Sequence, residues 1–212
     1  MISVLIPIKN EPYIQYLVRK IHKVLKTKHE IIVMDKSDFP PKLVGAKLIR
    51  RKSIGLGDAI LEGLSYTSGE IVLVMDGDGS HRPEDIPNLL EKIDDFDIVI
   101  GSRFIDKGKI EDVIYRKILS FIFTKFASKI LNLKIKDSMS HFTMFKKDIL
   151  RNLTLRPLGY RVIMEIIFKA KHAKICEVPI VFERRKAGKS KTDMIEALRT
   201  LRYITELKFG LR

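Results

Sequence analysis

A chain of 212 residues, 45% hydrophobic and 31% charged, is long enough for one sizeable core and lacks the composition of a disordered or fibrous protein. Its formal charge of +14 points toward polyanions, whether nucleic acid, anionic lipid headgroups or phosphorylated small molecules, and charge alone does not choose among them. A single cysteine, Cys176, rules out an internal disulfide, and its place in KICEVPI suits a buried strand in a reducing compartment better than a reactive thiol.

Short runs rich in Ile and Val alternate with stretches of helical spacing, which predicts an α/β fold with a mostly parallel sheet covered by helices. In chain order, strand Ser3 to Ile8 is followed by helix Tyr13 to Lys26, then by strands Glu30 to Met34 and Lys47 to Arg50 and helix Gly57 to Thr67. Strand Glu70 to Met75 leads to helix Pro83 to Ile93, and strand Asp97 to Gly101 to a long helix, Val113 to Leu133. Helix Tyr160 to Lys171, strand Lys174 to Phe182 and helix Lys191 to Leu207 complete the pattern. No repeat, low-complexity tract or linker divides the sequence, so residues 1–212 are read as one domain.

The first residues run straight into the apolar SVLIPI without a basic region or cleavage site, so no secretory signal is expected. Ile118 to Leu133 is interrupted by Lys125 and Lys129, and a spanning helix needs about 20 mostly apolar residues, so no transmembrane helix is expected either. Two segments have the composition of interface helices. In 113–133, Ile118, Phe121, Ile122, Phe126, Ile130 and Leu133 accompany Arg116, Lys117, Lys125 and Lys129; in 191–212, Ile195, Leu198, Leu201, Ile204 and Leu207 recur near helical spacing among basic residues. An ordinary core-facing helix would use the same pattern, and both readings stand at this point.

In open sheets of this kind ligands bind beyond the carboxyl ends of the strands, so polar residues there carry the information. The first strand ends in Lys9-Asn10-Glu11, the second in Asp35 with Asp38 behind it, the fourth in Asp76-Gly77-Asp78, and the fifth in Ser102-Arg103. Asp76 and Asp78 follow the apolar strand IVLVM, with Gly77 and Gly79 free to turn tightly. Two carboxylates so spaced can share Mg²⁺ or Mn²⁺ with phosphate oxygens, because these hard cations take oxygen ligands and often use one or two carboxylates plus substrate phosphates. A solvated turn would also use Asp and Gly. Asp35 could accept hydrogen bonds from a base or ribose, with Glu11 and Pro7 lining the same pocket, or it could belong with Asp38 to a turn before Pro40-Pro41. Gly55 and Gly57 suit a helix entry that Asp58 could cap.

The segments EIVLVMDGDGSHRPEDIP, DIVIGSRF, YRKIL, DSMSHFTMFKKDIL, LGYRVIMEI and EVPIVFERRKAGKSK occur in an order that resembles the polyprenyl-phosphate (dolichyl-phosphate) sugar synthases, chiefly the mannose synthases, over nearly the whole chain. The resemblance implies the GT-A (nucleotide-diphospho-sugar transferase) fold and an inverting, metal-dependent glycosyltransferase. Such an enzyme moves a sugar, mannose from GDP-mannose or alternatively glucose from UDP-glucose, onto a polyprenyl or dolichyl phosphate. It further implies that Pro7, Glu11, Asp35, Asp76 and Asp78 hold the nucleotide-sugar with Arg185 and Lys191, that Asp76, Asp78 and Ser80 hold Mg²⁺ or Mn²⁺, and that Arg103, Arg116 and Ser140 face the acceptor phosphate. Asp78, Arg103 and Arg116 would carry the chemistry. Glu165 and Glu177 match family positions as well, and a carboxylate paired with a nearby base for structural reasons would match equally.

Three departures qualify the match. Lys36 follows Asp35 where adjacent acids are usual, His141 stands where a glycine is usual, and Lys189 adds charge to an already basic loop. Lys36 and His141 leave open a catalytically inactive scaffold on the membrane. The charge leaves open a nucleic-acid binder, but the aromatics are not interleaved with basic residues as a stacking platform requires, so no nucleic-acid partner is expected. The site expected is a cytoplasmic one, peripheral on an anionic membrane surface.

Overall fold

The computed structural model describes residues 1–111, 114–156, 159, 161–185 and 194–210, with the side chains of 114–117, 119 and 194–198 left aside. The strands are β1 (Ile2–Ile8), β2 (His29–Asp35), β3 (Lys47–Arg50), β4 (Ile71–Val74), β5 (Ile98–Ser102), β6 (Lys109–Ile110), β7 (Thr143–Lys146), β8 (Ile175–Pro179) and β9 (Val181–Phe182). The helices are α1 (Ile14–Val24), α2 (Leu56–Leu64), α3 (Ile86–Lys92), α4 (Ile114–Ile130), α5 (Val162–Lys169) and α6 (Met194–Lys208).

Seven strands form one sheet in the order β3-β2-β1-β4-β7-β5-β8, and β6 pairs with β9 in a separate ribbon. Alternate residues of each strand face opposite sides of the sheet, and both sides are apolar, so each takes helices. Val4, Ile6 and Ile8 of β1 join Leu17 and Ile21 of α1 and Ile86 and Leu89 of α3 on one face. Leu5 joins Ile60 of α2 and Ile163 and Ile166 of α5 on the other. A third cluster places Ala127 of α4 and Leu131 just after it against Met164 and against Tyr203, Ile204 and Leu207 of α6.

The sheet is parallel except at β7, which runs antiparallel to both β4 and β5. The carboxyl ends of β1, β2, β4, β5 and β8 therefore lie on one edge, and the amino end of β7 returns to that same edge. Val74 and Ile100 both pair in register with Thr143, which sets residues 140–142 beside the ends of β4 and β5.

The expected strand over 174–182 is two strands, broken between Pro179 and Val181, because its second part leaves the sheet to pair with β6. The expected helix over 83–93 opens with a 3₁₀ turn at Pro83–Asp85 before α3. Asp58 lies in the first turn of α2 behind the N-cap Gly55 without making a capping side-chain bond, so its contribution there is to the helix dipole.

The two basic amphipathic segments differ. In the described part of α6, Ile204 and Leu207 are buried, so that part faces the core. In α4 the buried residues are small or short, Thr124, Ala127 and Ser128, while Ile118, Phe121, Ile122 and Phe126 are exposed at 53%, 45%, 55% and 44%.

Candidate active site

The loop after β4 is held by local bonds before any ligand is considered. Gly77 cannot carry a side chain, because a Cβ there would lie 2.5 Å from a methyl of Ile8, and Gly79 has φ +81°. The Asp78 carboxylate accepts from the backbone N–H of Ser80 at 3.0 Å and from its hydroxyl at 2.6 Å, both through Oδ1. Asp78 is thus buried and fixed in rotamer, and its Oδ2 meets Nε of Arg185 at 2.9 Å. The Ser80 hydroxyl, expected among metal ligands, spends its proton on Asp78 and acts here as the group that orients that carboxylate.

Asp76 sits between two imidazoles. Its backbone N–H donates to Nδ1 of His81 at 3.0 Å, and its Oδ1 lies 3.1 Å from Nδ1 of His141. Accepting that bond leaves His81 Nδ1 without a proton, and burial pushes the His81 pKa down, in agreement. Burial pushes Asp76 up, but the charge and hydrogen bond of His141 and the charge of Arg185 outweigh it and hold the carboxyl well below the usual range. His81 itself stacks on Phe142, with centroids 5.0 Å apart, and bridges to Phe182. Glu183 N–H donates to Ser80 O at 2.9 Å. These contacts zip the segment after β9 to the Asp78 loop and deliver Arg185 to it.

Glu11 approaches from the end of β1. Its Oε2 is buried without a hydrogen-bond partner, and burial together with the charge of Asp78 raises its pKa to about 7. An orphaned carboxylate oxygen near two further aspartates is a deficit of positive charge, so these residues fit a divalent cation. Among the described residues no three His, Cys, Asp or Glu side chains cluster as a complete ligand set. An ion held at Asp76 and Asp78 would therefore draw further oxygens from a bound phosphate, as Mg²⁺ does in many phosphate sites.

The end of β2 is organised around Asp35, which is enclosed rather than open. Asp35 is fully buried, its Oδ1 accepts from Ser37 N–H at 2.8 Å, and its Oδ2 pairs closely with Arg50, which also donates to Ser37 O at 2.8 Å. A direct bond from Asp35 to a base requires that pair to open. Pro7 is buried in β1 in register with Met34, next to the edge. Asn10, at φ 56°, and Asp38 exchange side-chain and backbone bonds of 2.9 and 3.0 Å, which staples the ends of β1 and β2.

On the opposite side Arg103 follows β5 and is locked to Asp137. Nε and Nη2 donate to the two carboxylate oxygens at 2.8 Å each, and the Arg103 backbone N–H donates at 3.0 Å. Burial would lower the Arg103 pKa, but the Asp137 charge and hydrogen bonds raise it, so the guanidinium stays charged. Asp137 is held in turn by Glu177, whose oxygens accept from the N–H groups of Lys136 at 2.8 Å and Asp137 at 2.9 Å. Arg103 lines a groove of about 540 Å³ with Phe104, Lys109, Ile110, Ile118 and Phe121.

Ser140 gives its hydroxyl proton to Gly101 O at 2.7 Å, which ties it to the end of β5, two residues before Arg103. The Arg116 side chain and Lys191 lie outside the described residues. Glu165 serves the fold, taking Lys169 at 2.6 Å and Tyr203 at 2.8 Å. Asp137 and Arg50 carry as much of the arrangement as any residue singled out from sequence. Both were reachable only as partners of Arg103 and Asp35, since neither lies near its partner in the chain.

A mostly parallel sheet whose carboxyl edge presents an Asp-x-Asp turn backed by a third carboxylate is the GT-A glycosyltransferase architecture. Residues 3–154 match the model of glycosyl transferase family 2, and the chain belongs to that family. Among its relatives, the dolichol-phosphate mannosyltransferase of Pyrococcus furiosus is 35% identical over 97% of this chain and 63% of that protein. The undecaprenyl-phosphate mannosyltransferase of Micrococcus luteus is 33% identical over 68% of this chain and 63% of that protein. The polyprenol monophosphomannose synthase of Mycolicibacterium smegmatis is 29% identical over 89% and 79%. The chain thus spans about 63% of the length of the first two relatives. The glucosyl-3-phosphoglycerate synthase of Mycobacterium tuberculosis, solved with Mn²⁺, UDP and glucosyl-3-phosphoglycerate, superposes with a TM-score of 0.72 at 18% identity over 99% of this chain and 79% of that one. It has the same fold.

Proposed function

We propose that this chain transfers a mannosyl group from GDP-mannose to the phosphate of a polyprenyl or dolichyl lipid at a membrane surface, with inversion at the anomeric carbon. The observation that carries the reading is the division of charge along one sheet edge. Glu11, with its orphaned Oε2, feels the charges of Asp78 and Asp76 on one side, and on the other the charged Arg103 lines a mostly apolar groove. The relatives named for mannosyl transfer to polyprenyl phosphates support the substrate pair.

A phosphate monoester carries about −1.5 to −2 charge near neutral pH, so the nucleophile needs no strong general base. The obstacle is repulsion, since like unit charges ~4 Å apart oppose one another by about 4 kcal/mol at an effective dielectric of ~20. Asp76 and Asp78 would hold Mg²⁺ or Mn²⁺, which when bound supplies Lewis-acid stabilisation of the departing diphosphate. Arg185, now on Asp78, and Lys191 would move onto that diphosphate, while Arg103 and Arg116 would hold the acceptor phosphate for in-line attack. Asp137 keeps Arg103 in one orientation throughout, so its charge is preorganised where the anion arrives.

The lipid tail would follow the groove between Phe104, Ile110, Ile118 and Phe121 onto the exposed apolar face of α4. Lys125 lies 5.7 Å over the Phe121 ring, so cationic and apolar groups share this face. Lysines at an anionic leaflet contribute ~1 kcal/mol each. Among the described residues no helix is long and apolar enough to cross a membrane.

Purified protein with Mn²⁺, radiolabelled GDP-mannose and vesicles containing polyprenyl phosphate should give a labelled product that extracts into organic solvent. Label transferred only from UDP-glucose would replace the donor, and no transfer from either donor to any polyprenyl phosphate would refute the reading.

A further inference from the structure

The segment entering β7 alternates its side chains. Ser140 turns into the fold to bond Gly101 O at 2.7 Å, and Phe142 is fully buried and stacked on His81. His141 between them faces the other way, toward the loop after β4, where its Nδ1 reaches Asp76 Oδ1. It belongs to none of the three apolar clusters, so packing does not account for an imidazole at a position where the resemblance leads one to expect glycine.

The two histidines around Asp76 do different work. The Asp76 N–H donates to His81 at 3.0 Å, which fixes the backbone, and His81 Nδ1 is 3.9 Å from Asp76 Oδ2, too far for a hydrogen bond. His141 at 3.1 Å is the group that grips the carboxylate, and since an ionised carboxylate only accepts, Nδ1–H is the donor. With Oδ1 so held, Oδ2 is the oxygen left for an incoming ion, and the Asp76 side chain retains 22% of its exposure.

We propose that His141 is a positioning residue, which fixes the Asp76 carboxylate through Oδ1 and so presents Oδ2 to the divalent ion and the donor diphosphate. The inference rests on the metal-dependent reading above and adds to it a residue that acts through another. Partners that orient a metal-binding side chain typically contribute 10–100-fold in affinity or activity. An asparagine can place its amide N–H near the position of imidazole Nδ1, whereas alanine cannot.

The test is Mn²⁺ binding by the full chain, followed by electron paramagnetic resonance of the free ion without donor, in the wild type, His141→Ala and His141→Asn. His141→Ala should bind Mn²⁺ about 10–100-fold more weakly. His141→Asn should bind close to wild type, with melting temperatures matched among the three. In turnover, His141→Ala should need correspondingly more Mn²⁺ for half-maximal rate, with the KM for polyprenyl phosphate unchanged. Equal Mn²⁺ affinity in wild type and His141→Ala, or failure of His141→Asn to restore it, would overturn the inference and leave the proposed function standing. Absence of Mn²⁺ binding in the wild type, with or without donor, would overturn both.

Discussion

Replacing Asp137 by alanine removes the partner that holds Arg103. The pair is bidentate and dry, with side-chain exposures of 13% for Arg103 and 0% for Asp137, and the carboxylate also accepts the Arg103 backbone N–H. Breaking a buried pair by deleting one member costs about 3–5 kcal/mol, chiefly because the remaining charge is left uncompensated. In a chain of this size each kcal/mol moves the melting temperature by ~2–4 °C, so Asp137→Ala should melt about 6–20 °C lower. Urea denaturation gives the same quantity through its midpoint if the slope is unchanged. Because the cost lies in the stranded guanidinium, Asp137→Ala combined with Arg103→Met should recover part of the loss, and a double-mutant cycle measures the coupling. A loss below ~1 kcal/mol in the single variant, or a double variant no more stable than Asp137→Ala, would refute the claim that this pair is the electrostatic keystone at the end of β5.

Other outcomes follow from the same geometry. Burial pushes Glu11 up to about 7, above the ordinary glutamate range, so between the two the unfolded chain releases a proton that the native chain keeps, and stability falls as pH rises. Glu11→Gln should therefore match the wild type at pH 4.5 and be the more stable of the two at pH 8 in metal-free buffer, as read by thermal melts. Arg185 occupies Asp78 Oδ2, so Arg185→Gln should tighten Mn²⁺ binding in donor-free protein while raising the KM for the donor. Arg184→Gln, an equal loss of charge one residue away, is the control, and an identical gain there would remove the specific role. Asp78→Asn should lower turnover by about 100-fold or more with the fold intact by circular dichroism. Burial pushes the Cys176 thiol up to about 11, so alkylation at pH 8 should be far slower than for free cysteine and become fast in denaturant.

The parallel half of the sheet was legible because its strands are continuous apolar runs and its helices keep a regular period. Val4, Leu5 and Ile6 are buried on both faces, and Leu17, Val18 and Ile21 fall on one side of α1. The loop at Asp76 and Asp78 was legible for the same reason, since a polar turn after IVLVM has only the sheet edge to occupy. What escaped was non-local. β7 is four residues, TMFK, with too little alternation to announce a strand, and its antiparallel course is decided by the neighbours it joins. Asp35 reads either as a ligand at a strand end or as part of a turn, and its pairing with Arg50 is seen only once β2 and β3 lie side by side. α4 and α6 share one basic amphipathic pattern, and only packing decides that Ile204 turns inward while Phe121 stays in solvent.

The reversed strand also sets how such a molecule can diversify. The chain leaves the sheet after β5 and re-enters at β7, its immediate neighbour, on the same edge, so everything between Arg103 and Ser140 is an excursion whose two ends are pinned side by side. Within it, β6 is paired to β9 and Asp137 holds Arg103, so length and composition can vary only in the stretches that leave those two ties in place. A segment exchanged between relatives must therefore bring its own partner for β9 and its own carboxylate for Arg103 if this edge of the sheet is to keep its shape.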